Sequence, residues 1–162
     1  MSKHNSGVYV VQLKQDDKFY VGKSCDIERR IAQHSNIADE KGSAFCKLHG
    51  GVLRRVPTVT RECTPHVLWE FHETLTQMTL RGFNNVRGWE FCSSKNLTKD
   101  DAKYIKRLLF GLMDVCRKCG YAGHVQKGCV RTHWSMHAPW LREIDALIKP
   151  TSRRGAKRKL EE

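Results

Sequence analysis

The sequence predicts an α+β fold: a small three-stranded antiparallel sheet flanked by helices, with a cysteine-rich C-terminal extension. Three observations predict it. Two β-branched and aromatic runs near the N-terminus are divided by four polar residues, two later stretches repeat apolar residues at helical spacing behind capping residues, and three cysteines cluster with a histidine among glycines.

The first run, Gly7 to Leu13, and the second, Lys18 to Gly22, flank Lys14-Gln15-Asp16-Asp17 and read as an antiparallel hairpin. Asp26 then caps a helix in which Ile27 and Ile31 share one face. Arg30 and His34, also four apart, share a neighbouring face and project together. Residues 35–50, with Gly42, Gly50 and Gly51 and few periodic apolar residues, read as a loop, and Val52 to Val59 as a short third strand interrupted by Pro57. Thr64-Pro65 is a cap with proline at the first helical position. Val67, Leu68, Phe71, Leu75 and Met78 then recur at helical spacing until Gly82, with Glu70, Glu73 and Gln77 on a polar face. Thr98 with Asp101 forms a capping-box pattern ahead of a core stripe of Ala102, Ile105, Leu108, Leu109, Leu112 and Met113. Trp140, Leu141, Ile144, Leu147 and Ile148 predict a last helix ended by Pro150. The expected organisation is a domain over 6–92, a helical extension over 93–148 holding the cysteine cluster at 116–129, and a basic disordered tail over 149–162.

The 162-residue chain carries 29 Lys and Arg against 17 Asp and Glu, a net charge of +12, so its long-range field attracts polyanions and nucleic acid is the expected partner. Seven cysteines, an odd number, and no N-terminal apolar run resembling a signal peptide lead to an intracellular expectation, in which the thiols stay reduced or bind metal. No stretch approaches the roughly 20 apolar residues of a membrane span, and no membrane partner is expected.

Gly7-Val8-Tyr9 and Tyr20-Val21-Gly22, ten residues apart, are followed by Arg30, Glu70 and Asn85. In these residues the chain resembles the GIY-YIG nuclease superfamily, over residues 6 to about 90, with valine keeping the β-branched shape of isoleucine in both tripeptides. Thr74-Leu75 to Met78, Gly82 and Asn84-Asn85-Val86-Arg87-Gly88 are similar to members found in large DNA viruses and some protists. The resemblance implies a metal-dependent endonuclease acting on DNA, with RNA the alternative. Hydrolysis of a phosphodiester needs an oriented water, neutralised charge at phosphorus and a stabilised leaving oxygen. By resemblance Tyr9 assists water attack, Tyr20 and Arg30 hold the phosphate, His34 is an auxiliary proton or phosphate contact, and Asn85 braces the site. A phenol serves as base only where a cation lowers its pKa from about 10, which is Arg30's second task. Glu70 is the chosen ligand for Mg²⁺ or Mn²⁺, since Mg²⁺ keeps several waters and needs few protein carboxylates. Glu73, one turn away, is the alternative: the gap from Glu70 to Asn85 resembles that of the homing enzymes, and the shorter gap from Glu73 that of the excision-repair subunit. Lys23 is a further candidate nucleic-acid contact. Selective cutting by so small a chain would require dimerisation, structure recognition or service to a partner protein.

Cys116, Cys119, His124 and Cys129 have the spacing C-x2-C-x4-H-x4-C of a zinc knuckle, whose three thiolates and one imidazole complete a tetrahedral Zn²⁺ site. The segment resembles the knuckles of retroviral nucleocapsid proteins, which bind unpaired bases. Tyr121 is then placed for stacking, and Arg117, Lys118 and Lys127 for phosphates. A zinc staple that only braces the extension explains the ligands equally well. Cys25, Cys46, Cys63 and Cys92 share no metal spacing and read as buried or surface thiols. The pairs Arg153-Arg154 and Lys157-Arg158-Lys159 read as a nuclear import signal, a phosphate clamp or a solvated end. The rival to a nuclease is a non-catalytic nucleic-acid-binding protein using the knuckle and the basic surface.

Overall fold

The computed structural model describes residues 5–59, 64–131 and 139–149. Strands β1 (Gly7–Leu13) and β2 (Phe19–Ser24) form the expected hairpin, with Tyr9 opposite Gly22 and Val11 opposite Tyr20. Its turn carries Asp16 and Asp17 at φ of 62° and 48°, a left-handed pair that aspartate tolerates better than most residues. Helix α1 (Ile27–Ser35) begins where the Asp26 carboxylate accepts from the Arg29 backbone N–H at 3.1 Å. Strand β3 (Val52–Val56) pairs antiparallel with β1 on its other side and stops before Pro57. Helix α3 (His66–Arg81) starts after Pro65 and ends at Gly82, and α4 (Lys99–Met113) starts at the Thr98–Asp101 capping box. Helix α5 (Trp140–Ile148) closes the described chain.

Three expectations are corrected. The sheet has four strands, in the order β3-β1-β2-β4, because Val86–Arg87 (β4) pairs parallel with β2 at Phe19 and Tyr20. A two-residue strand leaves no alternating pattern to read. Inside the expected loop lies a short helix, α2 (Ala44–Leu48), formed because Phe45 and Cys46 seal one side of the sheet. The stripe on α3 is also rotated: Val67 and Leu68 are about half exposed, whereas Trp69, Glu70, Glu73 and Gln77 are buried.

Alternation along the hairpin sorts side chains into two layers. Val8, Val10, Phe19 and Val21 face α3, α4 and α5 in one core with Leu75, Met78, Ile105, Leu109, Leu141 and Ile144. Tyr9, Val11, Leu13 and Tyr20 face α1 and α2, packing with Ile27, Phe45 and Cys46. The larger core holds residues from both sides of position 92. Each of its fully buried aliphatic side chains contributes roughly 1.5–3 kcal/mol. Glu143 of α5 ties the two ends further by accepting the Phe83 backbone N–H at 2.8 Å. No helix among the described residues is long and apolar enough to cross a membrane.

Candidate functional site

Beyond Tyr20, β2 has no strand partner on its β4 side among the described residues, because β4 covers only Phe19 and Tyr20. Around this stretch α1 and α3 bring the predicted residues together. The Tyr9 hydroxyl lies 2.8 Å from His34 Nε2, and His34 is fully buried. The other ring nitrogen settles the proton's position. Ser43 donates its backbone N–H to His34 Nδ1 at 3.0 Å, so Nδ1 accepts, the ring is neutral, and Nε2–H donates to Tyr9 Oη. Burial, helped by the nearby Arg30 cation, pushes the His34 pKa down to about 4, in keeping with a neutral ring.

The Arg30 cation lies close enough to favour the charged form of Tyr9, and its Nη1 donates to Gln33 Oε1 at 3.0 Å and to the Lys41 carbonyl. Tyr9 Oη thus accepts from His34 and has its own proton to give. The Tyr9 ring lies on Gly22, where a Cβ would sit 2.4 Å from the hydroxyl, so the glycine of the second tripeptide is required by the tyrosine of the first. Tyr20 packs 4.9 Å from the His34 ring on the same face. Burial raises the pKa of both tyrosines well above the usual phenol value, and Arg30 only partly offsets it. Arg30 therefore does not turn Tyr9 into a ready phenolate. Tyr9 stays in its neutral form, with a proton to donate.

Glu70 is 8% exposed, with Oε2 at 3.2 Å from Lys23 Nζ. Its charge reaches Tyr9 and Cys92. Glu73 is turned along α3 instead, accepting from Gln77 Nε2 at 2.8 Å, with Arg81 next in the chain of contacts through Gln77 Oε1. Asn85 is not brought to this cluster. Its Nδ2 donates to the Arg81 carbonyl and its Oδ1 accepts from Lys18, eleven helical residues and about 16 Å along α3 from Glu70. Two participants escape sequence reading. Cys92 lies beside Tyr20 and donates to the Trp89 carbonyl at 2.9 Å, and Ser43 acts through its backbone alone. A lone thiol and a main-chain amide leave no spacing signal. The buried Arg87, 1% exposed, pins the 83–95 segment by donating to the carbonyls of Phe83, Val86, Ser93 and Lys95.

The fit to a divalent cation rests on the donor set. Glu70 offers one carboxylate at the rim of a cationic cleft, and the Lys23 ammonium already sits against it as a cation would, which suits a hard ion that keeps its waters. In the extension, the ligand atoms of Cys116, Cys119, His124 and Cys129 all lie within 4.8 Å of one another, and Cys119 Sγ is 3.3 Å from His124 Nε2. This arrangement is compatible with a zinc knuckle. Gly120 and Gly123 take φ of 73° and 85° to fold the chain around it. Lys118 donates its backbone N–H to Cys116 Sγ at 3.4 Å, and its side chain reaches the Cys129 carbonyl at 3.0 Å, inside the knuckle. Arg117 and Lys127 are exposed. Tyr121 is half-buried, with the Arg131 guanidinium 4.2 Å from its ring centre, so one face is already stacked. Cys46 is buried, Cys25 and Cys92 are exposed, and Cys63 and the tail arginines and lysines lie outside the described residues.

Neither a search of curated proteins nor one of solved structures finds a match. The family pattern described as the GIY-YIG catalytic domain matches residues 5–103, more than half of the chain and every element that lines the cleft. The chain belongs to the GIY-YIG family.

Proposed function

We propose that this nuclease-family chain is a Mg²⁺-dependent endonuclease that hydrolyses phosphodiester bonds in DNA. The observation that carries the reading is the Tyr9 hydroxyl, which accepts from His34 and keeps its own proton to give, within reach of the Arg30 and Glu70 charges. Tyr9 orients the attacking water or a phosphate oxygen through that proton. His34 is a positioning residue for the phenol, since both of its ring nitrogens are taken, one by Tyr9 and the other by the Ser43 amide. Arg30 offers charge to the scissile phosphate, which a guanidinium grips in a fork, and Tyr20 supports it from the same face. Mg²⁺ at Glu70 would supply charge neutralisation at the phosphate. Until then Lys23 orients the Glu70 carboxylate through their 3.2 Å ion pair.

The four knuckle residues hold Zn²⁺ in this reading, and Arg117 and Lys127 contact nucleic acid beside it. Tyr121 offers at most its second face, since Arg131 covers the first. The reading is tested by plasmid nicking with purified full-length protein. Nicked product should accumulate with Mg²⁺ and fail to form without it. Binding without any cutting, over a range of divalent ions, would leave the non-catalytic binding protein as the correct description.

A further inference from the structure

We infer that the outer face of α4 is a guide for an unpaired polynucleotide strand, running from the rim of the cleft to the knuckle. The inference rests on the nuclease reading and extends its knuckle contacts along α4, whose outer face that reading does not use. Lys103, Lys106, Arg107, Phe110 and Arg117 line one groove of about 200 Å³. Phe110 and Arg117 also line a second cavity of about 450 Å³, which continues past Asp114 to His124 and Lys127 of the knuckle. The two share a wall and form one path. Its near end lies toward the cleft: the Arg107 guanidinium sits 5.7 Å over the Tyr104 ring, Tyr104 packs 6.1 Å from Phe91, and Cys92, beside Tyr20, follows Phe91 in the chain.

Charge selects the occupant. Lys103 is paired with Asp100, and Lys106 with Asp145, which ties α4 to α5. Arg107 and Arg117 have no carboxylate partner among the described residues, and Asp114 is the one acidic residue that lines either cavity. A path with cations at helical steps over the Tyr104 and Phe110 rings fits one phosphate backbone with its bases turned to the aromatic rings. From residue 103 to 110 the helix rises about 10 Å, room for a few nucleotides before the knuckle. Because α4 is part of the main core, the path is fixed relative to the cleft.

The test uses full-length, zinc-loaded protein on a Glu70→Gln background, so that the probe is bound and not consumed. Fluorescence anisotropy compares a blunt duplex with the same duplex carrying an unpaired arm of about ten nucleotides, within the site sizes of single-strand binders. DNA and RNA arms are run separately to identify the sugar preferred. The arm should tighten binding about tenfold or more. Lys103→Gln/Arg107→Gln/Arg117→Gln should abolish that gain and make the log–log salt slope for the armed probe shallower by about two, since each single-strand phosphate that is neutralised adds about 0.7 to the slope. Lys103→Gln/Arg107→Gln, which leaves the knuckle sequence intact, should remove about two thirds of the slope change. Melting temperature and zinc content report whether each variant is folded. An arm that adds no affinity, an unchanged slope in folded variants, or an equal loss on blunt duplex would overturn the inference, as would displacement of the arm by poly-glutamate at matched charge. Cutting is scored separately in the wild-type chain. Failure of the nuclease reading is an uncut substrate, and failure of the guide is an arm without effect.

Discussion

At the scale of single residues, the neutral His34 ring has a measurable consequence. Its pKa is lowered from 6.5 to about 4 by burial, so the unfolded chain binds a proton that the folded chain refuses. The stability it contributes is complete above pH 6.5 and is lost as pH falls toward 4, in all about 3 kcal/mol, because each tenfold difference in proton affinity is worth about 1.4 kcal/mol. His34→Gln can still accept from Ser43 and donate to Tyr9 without titrating. Urea unfolding at neutral pH and near pH 4.5 should therefore show a smaller acid loss in the variant than in the wild type. Equal losses in both would mean that the ring is not held neutral. The same geometry explains what the sequence could and could not disclose here. Tyr9, Tyr20, Arg30 and His34 are legible because hairpin pairing and one helical turn fix them locally. Cys92 and the Ser43 amide arrive only through tertiary closure, and Asn85, taken for a brace of the site, is drawn to Lys18 and the end of α3.

Among the elements, the hairpin was the most legible, since two β-branched runs and a polar turn leave few alternatives. Helix α4 followed from its capping box. The face of α3 was misjudged, because a helix packed on a sheet core by one side and a polar cleft by another does not advertise its buried stripe through apolar residues alone. Its buried glutamates are the sign of that double duty. The close fit of β1 on β2 gives an element-level prediction. In Gly22→Ala the new Cβ meets Tyr9 Oη at 2.4 Å, so the ring must move off β2 at a cost of about 1–3 kcal/mol. Cleavage should fall by far more than that loss of stability explains. Gly111→Ala is the contrast: its Cβ meets nothing within 4 Å, and in the last turn of α4 it should stabilise by up to about 0.5–1 kcal/mol and leave cleavage unchanged. Normal cutting by folded Gly22→Ala would show that the seat of Tyr9 is unimportant.

For the whole molecule, the C-terminal helices are part of the nuclease core and the knuckle is carried on the end of α4. The division at residue 92 that composition suggests marks a change of motif and not a break in packing. Shared cores of this kind are invisible in a sequence, because each apolar stripe states only that it is buried and not against what. The knuckle predicts about one tightly held Zn²⁺ per chain, lost in Cys119→Ser, because three remaining ligands no longer close a tetrahedron. Metal analysis of reduced protein prepared without chelator checks it, and a zinc-free wild type would contradict it. The central claim, that the Tyr9–Glu70 cleft cuts phosphodiesters, is tested most directly by single-turnover plasmid cleavage in Mg²⁺ by wild type, Glu70→Gln and Glu73→Gln. Glu70→Gln should melt like the wild type and cut about a hundredfold to a thousandfold more slowly. Glu73→Gln, which keeps its contact with Gln77, should stay within about tenfold of the wild type. Equal rates for wild type and folded Glu70→Gln would contradict the account.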